Sequence, residues 1–462
     1  MPVVGAVMVP HPPIILPEVG HGEEKKISET DRAYREAAEL IGELAPETIV
    51  LISPHSVMYA DYFHISPGEK AQGDMRQFRA PQVKIRVDYD SAFAATLVKA
   101  ASQADFPAGM LGERNAELDH GTMIPLHYVN QHYQDYRLVR IGLSGLPLTD
   151  HYRLGQMIQQ TADSLGRRVV VIGSGDLSHK LRKDGPYGLS KEGPEYDDRI
   201  MNVMGRAAFD ELFDFDEVFC DKAAECGHRS FCIMAGTLDG LELVTRELSH
   251  EGTFGVGYGI CTYRVRGESS SRHCLDVWKE RRKKLLEESR RKEDAYVRLA
   301  RMTINSWVGE RKRPTLPEDL PDEMLKERAG IFVSLHKDGR LRGCIGTIQA
   351  TRKNIAEEIV ENGISAATKD PRFSPVQPEE LDALEISVDV LAEPEKISSK
   401  EELDVKRYGV IVTKGFRRGL LLPNLDGVDS VDEQISIALQ KAGLSVQEKH
   451  FEMERFEVVR HV

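Results

Sequence analysis

Over 462 residues the chain has no apolar run approaching the ~18–20 residues that a membrane-spanning helix needs. Its first apolar run, Val3–Val9, has no Lys or Arg before it and is cut short by Pro10, Pro12 and Pro13, which argues against a secretory leader. Cysteine is scarce. The six residues (Cys220, Cys226, Cys232, Cys261, Cys274, Cys344) include no C-x-x-C pair and no triad for an iron–sulfur cluster, and fit reduced thiols in a cytoplasm. Positive charge is short too: 61 Lys and Arg against 74 Asp and Glu leave a net charge of −13. A chain of that sign lacks the basic surface that general nucleic-acid or anionic-membrane binding requires. Internal repeats and low-complexity tracts are absent as well.

What remains is the balance of a globular protein with sizeable cores: 41% hydrophobic and 29% charged residues, in a chain long enough for two or three domains. From residue 1 to about 266, strand candidates (Val3–Val9, Thr48–Ser53, Val83–Val87, Arg137–Leu143, Arg168–Gly173) alternate with amphipathic helices (Glu29–Leu44, Ser91–Ala104, Tyr152–Leu165). Gly255–Val265 reads as a closing strand. This alternation predicts an α/β domain, residues 1–266, with a central, mainly parallel sheet covered by helices on both faces. Residues 267–292 are polar and then charged; "KERRKKLLEESRRK" carries eight basic and three acidic residues. Because Glu280, Glu287 and Glu288 interleave the basic charge, this stretch reads as a solvated connecting helix rather than a nucleic-acid contact. Residues 293–462 read as α+β. They hold a hairpin turning at Asp338-Gly339, helices Asn354–Ala367 and Val431–Ala442, and strands Leu384–Leu391, Gly409–Thr413 and Arg455–Val459.

The chemistry-bearing residues of the first domain sit at strand ends. Val3–Val9 runs into Pro10-His11-Pro12-Pro13, and Thr48–Ser53 runs into Pro54-His55. Proline fixes its own φ and pushes the preceding residue to extended angles, so both tips are stiff. A stiff polar tip at a strand's end is where an α/β fold places ligands, and two neighbouring strands can aim two imidazoles at one point, first of all a metal arrangement. "GSGDLSH" carries His179 past a third strand, "DHGTMIPL" places His120 before an apolar run, and "AECGHRS" presents Glu225 at the start of a helix. His228, three residues on, is an alternative late ligand; Cys226 reads as a small packing residue, with soft ligation as its alternative.

In order and spacing, "PHPPI", "SPHS", "DHGTMIPL", "GSGDLSH" and "AECGHRS" resemble the class III (LigB-type) extradiol ring-cleaving dioxygenases and the Memo-type proteins of the same superfamily. The resemblance implies that His11, His55 and Glu225 ligate Fe(II), with Zn(II) the alternative if nitrogen ligands predominate. It implies His179 as the acid–base residue and His120 as a hydrogen-bond partner of substrate or oxygen. The substrates would be a small aromatic diol and O₂. A Memo-like metal-binding adaptor without ring cleavage is the other function it allows.

In the second domain, "GRLRGCIGTI", "AATKDPRFSPV" and "GLLLPNL" resemble the AMMECR1 domain, whose activity is unsettled. Arg342 lies two residues from Cys344, on the same strand face, where a guanidinium would favour a thiolate. The simpler reading is an inert packed thiol between glycines that let backbones approach. Arg372, after Asp370-Pro371, either holds a carboxylate or phosphate or pairs with Asp370. No catalysis is assigned to this trio. The fusion of the two domains looks like part of a system that includes a radical S-adenosylmethionine protein, which the resemblance implies as a partner. The oligomeric state is left open, a homo-oligomer included.

Overall fold

Parallel strands can be joined only through long crossovers, and the N-terminal chain supplies these as helices. In the computed structural model, which describes residues 1–114, 117–425 and 427–462, the chain divides into two compact units, Met1–Glu280 and Arg281–Val462. The division falls within the helix Cys274–Lys292. Among the described residues no helix is long and apolar enough to cross a membrane.

The first unit is built on a six-stranded sheet in the order Arg137–Ile141, Thr48–Ile52, Val169–Ser174, Val3–Val9, Tyr258–Glu268, Leu241–Glu251. The first four strands run parallel and the last two pair antiparallel at one edge. Thr48–Ile52 and Val169–Ser174 are buried at every position, as strands covered on both faces must be. Alternate residues serve opposite cores. Val169 and Val171 pack with Phe93, Tyr152 and Phe231 from the helices Ser91–Gln103, Leu148–Leu165 and His228–Gly236. Val170 and Ile172 pack with Ala37, Ile41 and Ile124 from the helices Ser28–Leu44 and His120–Val129.

Two elements differ from the sequence expectation. Val83–Val87 forms part of Ala80–Asp88, which pairs with Lys70–Met75 in a separate two-stranded sheet rather than joining the central one. The edge strand Leu241–Glu251 carries no apolar alternation that would announce it, because most of its positions are solvent-facing or half-buried. The adjacent strands Val3–Val9, Thr48–Ile52 and Val169–Ser174 point the same way, so the segments bearing His11, His55 and His179 leave the sheet at one edge.

In the second unit the expected hairpin is present: Gly330–Lys337 pairs with Arg340–Gly346, and both turn residues, Asp338 and Gly339, take positive φ. These strands join Leu384–Leu391 and Val458–His461 in one antiparallel sheet, packed against helices Ala295–Glu310 and Ile355–Thr368. A second sheet orders Glu395–Ile397, Glu452–Phe456, Gly409–Lys414 and Arg417–Leu421 against the helix Val431–Lys441. The expected strand Arg455–Val459 is thus two strands, one in each sheet, separated at Glu457.

Candidate functional site

His11 is buried and held from three sides. Its backbone N–H donates to Asp176 Oδ1 at 2.7 Å, and the preceding Pro10 carbonyl accepts from the Tyr34 hydroxyl at 2.5 Å. Its Nδ1 lies 2.9 Å from Ser174 Oγ, and that hydroxyl donates its single proton to the Gly121 carbonyl at 2.7 Å. Ser174 can therefore only accept from His11, which places the proton on Nδ1 and leaves Nε2 as a bare lone pair.

That lone pair faces His55. The two Nε2 atoms are 2.9 Å apart, and Cys226 Sγ lies 3.6 Å from His11 Nε2. The three ligand atoms fall within 4.8 Å of one another; His11 is buried, Cys226 half-buried and His55 exposed, so the group opens to solvent on the His55 side. With a lone pair on His11 Nε2, the 2.9 Å contact is a hydrogen bond that His55 Nε2 donates. Two imidazole nitrogens and a sulfur this close together are also a donor set that could hold a transition-metal ion in place of that proton. Burial pushes the Cys226 thiol well above its ordinary pKa, with Asp176 and Glu225 adding to the rise, so a cation at Sγ is what would hold it as thiolate.

The expected carboxylate ligand is not in this group. Glu225 Oε2 accepts from the His228 backbone N–H at 2.6 Å, and the Tyr196 hydroxyl also hydrogen-bonds its carboxyl. Desolvation raises that carboxyl to about 7. His228 is likewise engaged elsewhere, with Nε2 2.9 Å from the Leu212 carbonyl oxygen and Nδ1 3.2 Å from the Tyr196 hydroxyl. The structure brings Cys226 to the histidines instead. It does so because Gly175 and Gly227 meet backbone to backbone: a Cβ on Gly175 would lie 2.1 Å from the Gly227 Cα.

His120 opens the helix His120–Val129, whose N-cap Asp119 accepts from the Thr122 backbone N–H at 2.9 Å. Asp119 also accepts from Ser53 Oγ at 2.6 Å, tying the helix to the His55 tip. The His120 ring lies 4.0 Å from the His55 ring and 5.3 Å from the His11 ring. Burial, with His55 and His11 beside it, lowers its pKa to about 4, so it stands neutral at pH 7. His179 Nδ1 meets the Ala224 carbonyl, which can only accept, so its Nε2 is the free acceptor. Its loop is fixed by Asp197 Oδ1, which accepts from the Ser178 backbone N–H at 2.8 Å, while Asp197 Oδ2 lies 3.0 Å from His250 Nε2. His179 is an electrostatic neighbour of both His11 and His55. Two aromatic rings stand edge-on to these histidines: Phe78 at 5.2 Å from His120 and Tyr187 at 5.3 Å from His179.

Asp119 and Asp176 hold the histidine-bearing segments by hydrogen bonds, a part the sequence reading did not give them. Their signal was present: each lies within a quoted motif, "DHGTM" and "GSGDLSH", immediately before or three residues before a histidine.

In the second unit, Arg342 does not face Cys344. Its guanidinium pairs with Glu380 (Nε–Oε1 3.0 Å, Nη2–Oε2 2.8 Å) and donates to the Ser374 carbonyl at 2.9 Å. Arg372 pairs with Asp370, through Nε at 3.0 Å and Nη2 at 2.7 Å, and its Nη2 also reaches the Cys344 carbonyl at 3.3 Å. Gly343 is obligatory, since a Cβ there would meet the Ala366 carbonyl oxygen at 2.3 Å.

Comparison with known proteins agrees with this architecture. Residues 5–261 match the family described as the catalytic LigB subunit of aromatic ring-opening dioxygenase, and residues 297–461 match AMMECR1. Protein CA_C1420 of Clostridium acetobutylicum is 40% identical over 466 residues, covering 99% of this chain and 98% of its own. A Thermotoga maritima protein is 51% identical over 170 residues, 37% of this chain and 98% of that protein. The solved structure of the Pyrococcus horikoshii protein PH0010 shares 33% identity over 36% of this chain and 88% of its own, with a TM-score of 0.34. With its helix-covered sheet, its strand-end histidines and these matches, the chain belongs to the LigB family over its N-terminal unit and carries an AMMECR1 domain behind it.

Proposed function

We propose that the N-terminal unit is a metal-dependent, extradiol-dioxygenase-like oxidoreductase acting with O₂ on a catechol-type or other aromatic diol, its metal held by His11, His55 and Cys226. One observation carries the reading: His11 Nε2, His55 Nε2 and the Cys226 sulfur converge within 4.8 Å of one another. Fe(II) is the assignment and Zn(II) the alternative, since a thiolate beside two imidazoles suits both. An Fe(II) ion there would supply Lewis acidity toward the diol oxygens and electron transfer to O₂.

The rest falls to the chain's own side chains. His179, with Nδ1 tied to a carbonyl, presents Nε2 to take a proton from a diol hydroxyl and return it later. His120, neutral and packed on His55, serves as a hydrogen-bond partner for a substrate oxygen. Phe78 and Tyr187 flank the two histidines and offer ring edges to a planar aromatic substrate. Solvent access at His55 gives the diol its entry.

The test is metal analysis of anaerobically purified protein for wild type, His11→Ala, Cys226→Ser and Glu225→Gln. Near-stoichiometric iron in wild type and Glu225→Gln, with affinity lowered at least about 100-fold in the other two, is the expected pattern. Oxygen uptake on a panel of catechols then follows. Failure to bind metal under any loading condition overturns the reading. Loss of metal in Glu225→Gln alone returns the carboxylate to the ligand set. The sulfur in the donor set favours one second reading: a Memo-like metal-holding accessory protein, working beside a radical S-adenosylmethionine partner, which would bind the metal and turn over no diol.

A further inference from the structure

The two-stranded ribbon of Lys70–Met75 and Ala80–Asp88 stands outside the central sheet. Alternation turns Ala71, Met75, Val83, Ile85 and Val87 into the core and leaves Lys70, Gln72, Lys84, Arg86 and Asp88 exposed on the other face. Two grooves border the ribbon, of about 1020 and 450 Å³, and Gln72, Lys84 and Arg86 line both. Among the described residues their walls include none of the strand-end histidines.

Register decides which charges on this face are matched. Lys70 stands opposite Asp88, with its Nζ 3.3 Å from Asp88 Oδ1. Asp74 stands opposite Lys84, yet both its oxygens are taken by the Arg76 guanidinium, at 2.8 and 2.6 Å. Arg86 stands opposite the neutral Gln72. Among the described residues neither Lys84 nor Arg86 has an ion pair or a side-chain hydrogen bond. The larger groove is thus lined by three cations, Lys70, Lys84 and Arg86, against one carboxylate, Asp88, which leaves two positive charges over. In a chain of net charge −13 that excess is not a general property of the surface. The smaller groove adds one cation, Arg76, and two carboxylates, Asp74 and Glu117, and carries less of it.

The rest of the larger groove's wall supplies neutral donors. Beyond the helix His120–Val129, Asn130 Oδ1 accepts from the Tyr136 hydroxyl at 2.9 Å, which leaves the Asn130 amide protons to donate. Gln134 spends one of its two amide protons on the Asn130 carbonyl at 2.8 Å and keeps the other. A phosphate group carries close to two negative charges at pH 7 and three strong acceptor oxygens, which a guanidinium, an ammonium and amide N–H groups suit. A single carboxylate would match only half of the excess charge. Lys84 and Arg86 are about 6.6 Å apart along the strand, a span their long side chains close on one phosphate or share across two.

We propose that the larger groove binds the phosphate end of a small phosphorylated molecule, held by Lys84 and Arg86 with Gln72 and Asn130 as neutral donors. The groove has the volume to take the body of such a molecule as well.

The test is calorimetric titration of pyrophosphate into the full-length chain, at about 0.15 M salt to screen long-range attraction. One equivalent is expected to bind. Lys84→Gln and Arg86→Gln should each weaken it about tenfold, and since both side chains are exposed neither change disturbs a core. Lys99→Gln, at an exposed position of the helix Ser91–Gln103, and His11→Ala should bind as wild type does. Absence of binding in the millimolar range overturns the proposal, as does affinity unmoved by both ribbon substitutions or lowered equally by Lys99→Gln. Loss of binding in His11→Ala would place the anion on an ion at the strand ends and overturn it too. Equal affinity for malonate would show a site that reads charge alone and overturn the assignment to phosphate.

Discussion

Glu380 lies between Lys337 Nζ at 3.1 Å and the Arg342 guanidinium, with 15% of its side chain exposed. Burial alone would raise its carboxyl; the hydrogen bonds from Arg342, the Gln377 N–H and Lys337 outweigh it and bring it down to about 2. A carboxyl depressed in the folded state binds fewer protons there than in the unfolded chain. Its stabilisation is therefore complete above the unfolded pKa of about 4.3 and is lost as pH falls toward 2. Glu380→Gln is expected to cost about 2 kcal/mol at pH 7, less than a fully buried pair would, and to lower the melting of the second unit by about 4–8 °C. The gap between wild type and variant should narrow in melts at pH 3; an unchanged gap would show that charge is not its source. The same residue shows what periodicity misses. Alternation puts Arg342 on the face of Cys344, but the pairing skips a residue there: Leu335 pairs with Gly343 and His336 with Leu341, so Arg342 bulges out of the ladder and its fork meets Glu380, 38 residues away in sequence. His11 and His55 were legible because proline-stiffened tips on parallel strands of one sheet leave little freedom, although the two strands are not the neighbours expected: Val169–Ser174 lies between them. The choice between Glu225 and Cys226 was not legible. Between the helix end at Ala223 and the helix start at His228 the backbone is irregular, with Ala224 at φ 54°, and no period tells which of two consecutive side chains faces the histidines.

Elements follow the sequence closely where their own residues record the burial and loosely where pairing with a neighbour supplies the stability. Val3–Val9 and Leu384–Leu391 have the bounds that apolar content alone assigns them. The helix expected from Glu29 to Leu44 runs Ser28–Leu44, and its inward face is the apolar set Ala33, Ala37 and Ile41. Leu241–Glu251 was invisible because its stability comes from pairing with Tyr258–Glu268, a long-range term that its own composition does not record. The same dependence on neighbours makes Gly175→Ala informative. The new Cβ would press on the Gly227 Cα and drive the Cys226 segment off the end of Val169–Ser174. Metal affinity is expected to fall by at least about tenfold, with helix content by circular dichroism retained, as displacement of one ligand predicts. Unaltered affinity would mean that Cys226 does not hold the ion. A second expectation concerns the helix Ser91–Gln103. Its N-cap Asp90 is fully buried, accepts from the Phe93 N–H at 3.0 Å and the Thr48 hydroxyl at 2.6 Å, and pairs with Arg167. Asp90→Ala leaves three donors without an acceptor and should destabilise the first unit by about 3–5 kcal/mol in denaturant unfolding. A loss under about 1 kcal/mol would reduce Asp90 to an ordinary cap.

At the scale of the whole molecule, the chain holds two compact units with separate cores, and the candidate metal ligands all lie in the first. A metal that binds only the folded site stabilises that fold by about 2.7 kcal/mol when free metal stands at 100 times the dissociation constant. For a unit of this size each kcal/mol is worth about 2–4 °C, so saturation at that level should raise the first unit's melting by about 5–10 °C. Chelation should remove that rise and leave the second unit's transition in place, because among the described residues the one group of candidate ligands lies in the first unit. Calorimetry of the full chain, with each transition assigned through Asp90→Ala and Glu380→Gln, separates the two. A chelator shift confined to the transition that Asp90→Ala lowers places the ion in the first unit, where His11, His55 and Cys226 lie. A shift in the transition that Glu380→Gln lowers would place the metal in the second unit and overturn the assignment to the strand-end histidines. One experiment can assign the ion to a unit because the two units have separate cores.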